Sequence, residues 1–91
     1  MPEWTFLTNH AHVLLCLAAN ADLRVRDLAT QVGITERGVQ RILSELELDG
    51  YIERQREGRR THYRLQGALH LRHPLEAHKQ VADLLKLGRR A

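Results

Sequence analysis

Four side chains able to grip a hydrogen-bonding partner recur at helical spacing: Arg37, Gln40, Arg41 and Ser44. At about 100° per residue they gather on one face of a helix. Arginine can place two parallel hydrogen bonds on guanine, and glutamine two on adenine, where those bases show their edges in the major groove of DNA. A good bidentate contact of this kind discriminates between bases by about 1–3 kcal/mol. The plain alternative is an ordinary solvated face of an amphipathic helix. A second basic group follows. From Arg54 to Arg64 there are five arginines and one glutamate, a local charge of +4. Arg56, Arg59 and Arg60 suit phosphate contacts, which set affinity and register but carry little sequence information, or insertion into a narrow minor groove. Arg54 and Arg64 are candidates for pairing with acidic neighbours instead.

The elements that must hold these groups follow from the apolar pattern. Residues 7–20, LTNHAHVLLCLAAN, predict a first helix that Thr8 or Asn9 can cap. Its apolar residues cover nearly the whole circumference, which calls for burial on all sides. In so short a chain, that predicts a second molecule over one side. Asn20-Ala21-Asp22 reads as a turn and Leu23-Arg24-Val25 as a short strand. A second helix is expected over 26–32, with Leu28, Ala29 and Val32 inward and Gly33 ending it in a left-handed conformation. Ile34 is the buried turn residue. The third helix spans about 36–49, capped by Thr35 and stopped by Gly50. Its Val39, Ile42, Leu43 and Leu46 cluster within about 100° of arc, opposite the Arg37 face. Two runs with period-two alternation around Glu57-Gly58 predict a hairpin over 51–65. His73-Pro74 is expected to lead into a last helix over 75–87 with a broad apolar surface. GRRA reads as a frayed tail.

Ninety-one residues make one domain, 1–91, of marginal stability as a monomer. The net charge of +3 is compatible with nucleic acid. Arginine outnumbers lysine twelve to two, and where the arginines sit says more than their number. No apolar run approaches the roughly 20 residues of a membrane span, and no leader pattern opens the chain, so a cytoplasmic protein is expected. Cys16 is the only cysteine. Flanked by Leu15 and Leu17, it reads as a small buried apolar residue ahead of a redox-sensing thiol or an intersubunit disulfide. Catalysis has no support. Ser44 lacks an evident base partner, and there is no glycine-rich phosphate loop, carboxylate pair or HExxH pattern.

The segment RVRDLATQVGITERGVQRILSELELDGYIERQREGRRTHYRL resembles bacterial regulators of the ArsR and MarR type, winged helix-turn-helix proteins. The likeness lies in an L-A helix, a G-I turn, a V-x-R-x-L-x-x-L helix, G-Y-I and G-R-R-x-x-Y. It covers nearly half the chain. It implies a mainly α (α+β) fold, with a three-helix core, a β-hairpin wing and a C-terminal dimerisation helix. It further implies a transcriptional regulator, most simply a repressor, that binds double-stranded DNA. The third helix would enter the major groove, with Thr35, Glu36, Arg37, Gln40, Arg41 and Ser44 on the recognition surface. Thr35 is expected first as a cap and Glu36 as a first-turn dipole partner. Arg56, Arg59, Arg60 and His62 map to the wing. Glu45, Glu47 and Asp49 should point away from DNA. The leucine-rich last helix, with the first helix and Trp4, Phe6 and Leu7, would form a homodimer interface. One departure is Gly38, which costs up to about 1 kcal/mol relative to alanine in a helix; either it allows a close crossing with the second helix or it has no particular role. His70, His73 and His78 are poorly spaced for metal, and the cysteines of the ArsR metal sensors are missing from LRVRDLA, so no metal or cofactor is expected. The competing reading is a winged-helix module that contacts proteins without binding DNA. Such a module would tolerate acidic residues on the third helix's outer face or an uncharged wing, and this chain has neither.

Overall fold

The computed structural model describes residues 3–88. Three helices come first, α1 (Asn9–Ala19), α2 (Val25–Val32) and α3 (Glu36–Leu48), followed by the antiparallel strands β1 (Ile52–Glu57) and β2 (Arg60–Leu65), and a short helix α4 (Val81–Leu85) running into a 3₁₀ turn, Lys86–Gly88. This is a winged helix: a helical core carrying one two-stranded wing. Among the described residues, no helix is long and apolar enough to cross a membrane.

Each helix end has a local cause. Thr8 Oγ1 accepts from the Ala11 N–H (3.3 Å) to start α1, and Thr35 Oγ1 accepts from the Gly38 N–H (3.0 Å) to start α3. The Asp27 carboxylate accepts from the backbone N–H of Arg24 (3.1 Å) at the head of α2, and that bond, with the Arg24 side chain beside it, holds its carboxyl below the usual range. Gly33 (φ 86°) closes α2, with its own N–H and that of Ile34 both on the Ala29 carbonyl. Gly50 (φ 84°) closes α3 in a Schellman motif, in which Tyr51 N donates to Leu46 O and Gly50 N to Glu47 O.

The inward faces meet as expected. Leu28, Ala29 and Val32 of α2, and Val39, Ile42, Leu43 and Leu46 of α3, are buried with Val13, Leu14 and Leu17 of α1. Ile52 and Tyr63 bring the wing's base into the same core, and Val81 brings in the C-terminal segment. Ile34 is half-buried against this cluster. The wing turns on Gly58-Arg59. Gly58 at φ 62° and a negative φ at Arg59 match a II′ hairpin turn, whose twist suits the paired strands.

Four expectations are corrected. Leu23-Arg24-Val25 forms no strand. Leu23 N bonds back to Asn20 O, Val25 is already helical, and only the bond from Tyr63 N to Ala21 O marks a strand-like contact with the wing. The helix expected over 75–87 is confined to Val81–Leu85. Residues 74–79 are successive turns, with Glu76 N on His73 O and Lys79 N on Glu76 O. Two histidines divert that backbone: His73 Nδ1 accepts from Leu75 N (3.1 Å) and His70 Nδ1 bonds the Ala77 carbonyl (2.8 Å). An antiparallel bridge between His70 and Gln80 then closes the loop. The apolar wrap of α1 is covered in part by this same chain. Leu15 and Cys16 are half-buried, and Gly88 lies so close that a Cβ there would be 3.3 Å from Leu15 Cδ2. Burial pushes the Cys16 thiol pKa up, in keeping with a packing role. Finally, Gly38 does not make room for α2. A Cβ at Gly38 would sit 3.3 Å from Thr35 Oγ1 and 3.6 Å from Ile34 Cδ1, so glycine there accommodates the helix's own cap.

Candidate nucleic-acid interface

The core-facing stripe of α3 leaves its opposite side to solvent. Glu36, Arg37, Gln40, Arg41 and Ser44 are all exposed on it, with Thr35 at its head. Thr35 is engaged as the cap, as its position predicted. Its hydroxyl oxygen accepts a hydrogen bond within the helix, while the α3 N-terminus still presents unpaired backbone N–H groups, the usual attraction for phosphate.

Acidic side chains on the distal half of α3 are each occupied. Glu47 pairs with Arg54 of β1 (3.4 Å) and Asp49 with Arg72 (2.9 Å). Glu45 bonds His10 Nε2 of α1 through one oxygen (2.9 Å) and lies 3.9 Å from Arg41 Nε through the other. The Glu47–Arg54 pair ties the wing's root to α3, so Arg54 is spent on structure, as the acidic surroundings suggested. Among the described residues, Arg37, Arg56, Arg59 and Arg60 have no carboxylate within ion-pairing distance. Their charge is available to a partner.

The strand register sorts the wing residues by face. Ile52, Arg54 and Arg56 stand opposite Leu65, Tyr63 and Thr61, on the side that the buried Ile52 and Tyr63 turn to the core. Arg60 and His62 lie on the other face, opposite Glu57 and Gln55. Arg59 occupies the turn. The structure therefore places the three candidate arginines around the tip rather than along one side, an arrangement suited to a phosphate backbone or the walls of a narrow groove.

His62 is the exception among the candidates. Its Nδ1 lies 2.8 Å from Asp22 Oδ1, in the turn between α1 and α2. Sequence reasoning missed Asp22, and also His10 as a partner of Glu45. Both pairs join residues 40 and 35 positions apart, a separation on which spacing rules are silent. The histidines 70 and 73 are used by the backbone turns described above, and among the described residues no three potential metal ligands converge.

Comparison with known proteins bears on this geometry. A family model described as winged helix-turn-helix DNA-binding matches residues 8–53. No curated protein matches the chain. Among solved structures, MepR, a transcription regulator of the Staphylococcus aureus multidrug efflux pump MepA, is 21% identical with a TM-score of 0.62, over 89% of this chain and 53% of that one. A Mycobacterium tuberculosis MarR family protein in complex with salicylic acid is 22% identical with a TM-score of 0.60, over 90% and 55%. The zinc-dependent MarR family regulator AdcR, in its Zn(II)-bound state, is 23% identical with a TM-score of 0.52, over 72% and 47%. The likeness to these transcription regulators is one of fold, and the chain spans about half the length of each.

Proposed function

The chain belongs to the winged helix-turn-helix DNA-binding family, and from that premise we propose that it is a sequence-specific, double-stranded-DNA-binding transcriptional regulator that acts as a homodimer and represses. In this reading α3 enters the major groove. Arg37, Gln40 and Arg41 meet base edges there, with Thr35, Glu36 and Ser44 at the margins. Arg56, Arg59 and Arg60 grip the backbone or the adjacent minor groove. Cytoplasmic location goes with the DNA partner. The observation that carries the reading is the exposed polar face of α3 from Glu36 to Ser44, whose distal acidic neighbours Glu45, Glu47 and Asp49 are paired, next to a wing whose tip arginines have no carboxylate partner among the described residues.

Salt dependence tests it. The logarithm of the affinity should fall linearly with the logarithm of salt, by about 0.9 per phosphate contacted. Replacing Arg59 and Arg60 together by alanine should weaken binding to every sequence alike and flatten that slope by about 1.8 if each arginine neutralises one phosphate. Fluorescence anisotropy across a salt series reads both effects. A wild-type protein with no salt-dependent DNA affinity would favour the protein-binding module instead.

The homodimer is supported by apolar surface that one chain leaves uncovered. Phe6 is 92% exposed, Leu48 86%, Leu75 80% and Trp4 68%. Phe6 and Leu48 edge a groove of about 580 Å³ between α1, the end of α3 and the segment leading into α4. Trp4 packs edge-on against Phe6, with ring centroids 5.0 Å apart. Monomers seldom expose such clusters. Sedimentation equilibrium at micromolar concentration should give twice the mass of one chain; a single-chain mass would remove the dimer. Two recognition helices would then meet half-sites about one helical turn apart.

A further inference from the structure

We propose that His62 serves DNA binding as a positioning residue rather than as a contact: held by Asp22, it fixes the wing to the turn between α1 and α2 and so sets the angle at which Arg59 and Arg60 are presented. The proposal rests on the DNA-binding reading above and assigns Asp22 a part in it.

Two consecutive residues of β2 grip two consecutive residues of that turn. His62 Nδ1 lies 2.8 Å from Asp22 Oδ1, and Tyr63 N donates to Ala21 O at 3.0 Å. The turn is itself braced, because the Asp22 N–H donates to Asn20 Oδ1 (3.0 Å). Position along the hairpin gives the pair its leverage. A two-stranded hairpin is marginal by itself, and this one is buried only at its root, through Ile52 and Tyr63. Beyond Tyr63, among the described residues, the His62–Asp22 pair is the outermost hydrogen bond between hairpin and helical body. Past it lie Arg56, Glu57, Gly58, Arg59 and Arg60, all exposed, and the half-buried Thr61. The direction of the tip therefore depends on this tie.

Charge argues the same way. The uncharged Gln55 stands across from His62, with Arg60 and Arg64 beside it on β2 and Glu53 and Glu57 on β1. Among the described residues, only Asp22 faces it from the helical body at bonding distance. With Nδ1 committed to Asp22, the ring is held from the helical body, which places it well as a brace.

The salt slope separates the two roles. If His62 contacts phosphate through its other ring nitrogen, Nε2, His62→Ala flattens the salt slope by about 0.9, and Asp22 acts by orienting the ring. If the pair is a brace, Asp22→Ala and His62→Ala each weaken binding by about threefold to fivefold, the strength of a half-exposed hydrogen bond. The double variant then loses no more than either single one. The salt slope stays unchanged, and Asp22→Asn, which keeps an oxygen acceptor for the ring N–H, retains affinity. A measurement without DNA accompanies these. Amide exchange at Tyr63, whose N–H bonds Ala21, should quicken in Asp22→Ala while the Leu43 amide in α3 does not. Tighter binding by Asp22→Ala overturns the proposal. So does a slope flattened by about 0.9 in His62→Ala, or unchanged affinity and exchange in Asp22→Ala. The wild-type salt titration judges the DNA-binding reading separately, since the exchange experiment requires no DNA.

Discussion

Alanine at both Gln40 and Arg41 is expected to weaken binding to the preferred DNA sequence by about 2–6 kcal/mol, twice the worth of one good bidentate base contact. That is roughly a 30-fold to a 10⁴-fold loss. The loss should be far smaller on sequences lacking the preferred bases, so that discrimination collapses along with affinity. Both side chains are exposed on α3 and their backbone is helical, and alanine is the best helix former. The variant should fold as the wild type does. The 3.9 Å approach of Arg41 to Glu45 is an exposed pair whose loss costs little. The experiment selects a preferred site from random duplexes with the wild type, then titrates wild type and variant against that site and its single-base-pair changes. Equal losses on all of them would show that neither residue reads bases, and would move specificity to Arg37 or to the deformability of the DNA. The contrast with Arg59→Ala/Arg60→Ala separates the roles: the wing arginines should lower all affinities together and change the salt slope.

Leu43→Ala should lower the unfolding free energy by about 3–5 kcal/mol, the upper part of the range for buried leucines. Leu43 is fully buried, and it belongs to the face of α3 that packs on α1, α2 and the root of the wing. Little of the cavity can be refilled, because Val13, Leu17, Leu28 and Val39 are equally enclosed and belong to backbone held by caps on several sides. Domains of this size have about 5–15 kcal/mol in hand, so the substitution removes a large share of it. Urea unfolding followed by far-ultraviolet circular dichroism measures the change. A loss under about 1 kcal/mol would mean that the three helices do not share the single core described. The DNA affinity of the molecules that remain folded should be little altered, because Leu43 lies on the face away from Gln40 and Arg41. This distinguishes a stability effect from an interface effect.

How much of this was legible before folding depends on the reach of the interaction. Thr35, Gly33, Gly50 and Gly58 act on backbone within a few residues of themselves, and each stands where its type implied. The inward and outward faces of α3 follow from a 3.6-residue period and needed no partner to be recognised. The wing's alternation around Tyr63 is equally local. The exposed polar face of α3 was therefore visible as a set of residues, and the family match over residues 8–53 falls on the part of the chain richest in these local signals.

The remainder needed the chain's path. Leu75, Val81, Leu84, Leu85 and Leu87 look like the broad apolar surface of one helix, yet the ring nitrogens of His70 and His73 bind nearby backbone and the His70–Gln80 bridge folds that stretch into turns. Helix propensity is worth tenths of a kcal/mol per residue, too little to resist several such bonds. The cover over Leu15 comes from Gly88, and the partners of His62 and His10 are Asp22 and Glu45. No periodic rule connects those positions. A residue's type and its close neighbours determine its conformation and the face it presents. Which distant group meets it is decided when burial of the common core brings remote segments together, and the aim of the wing belongs to that second class.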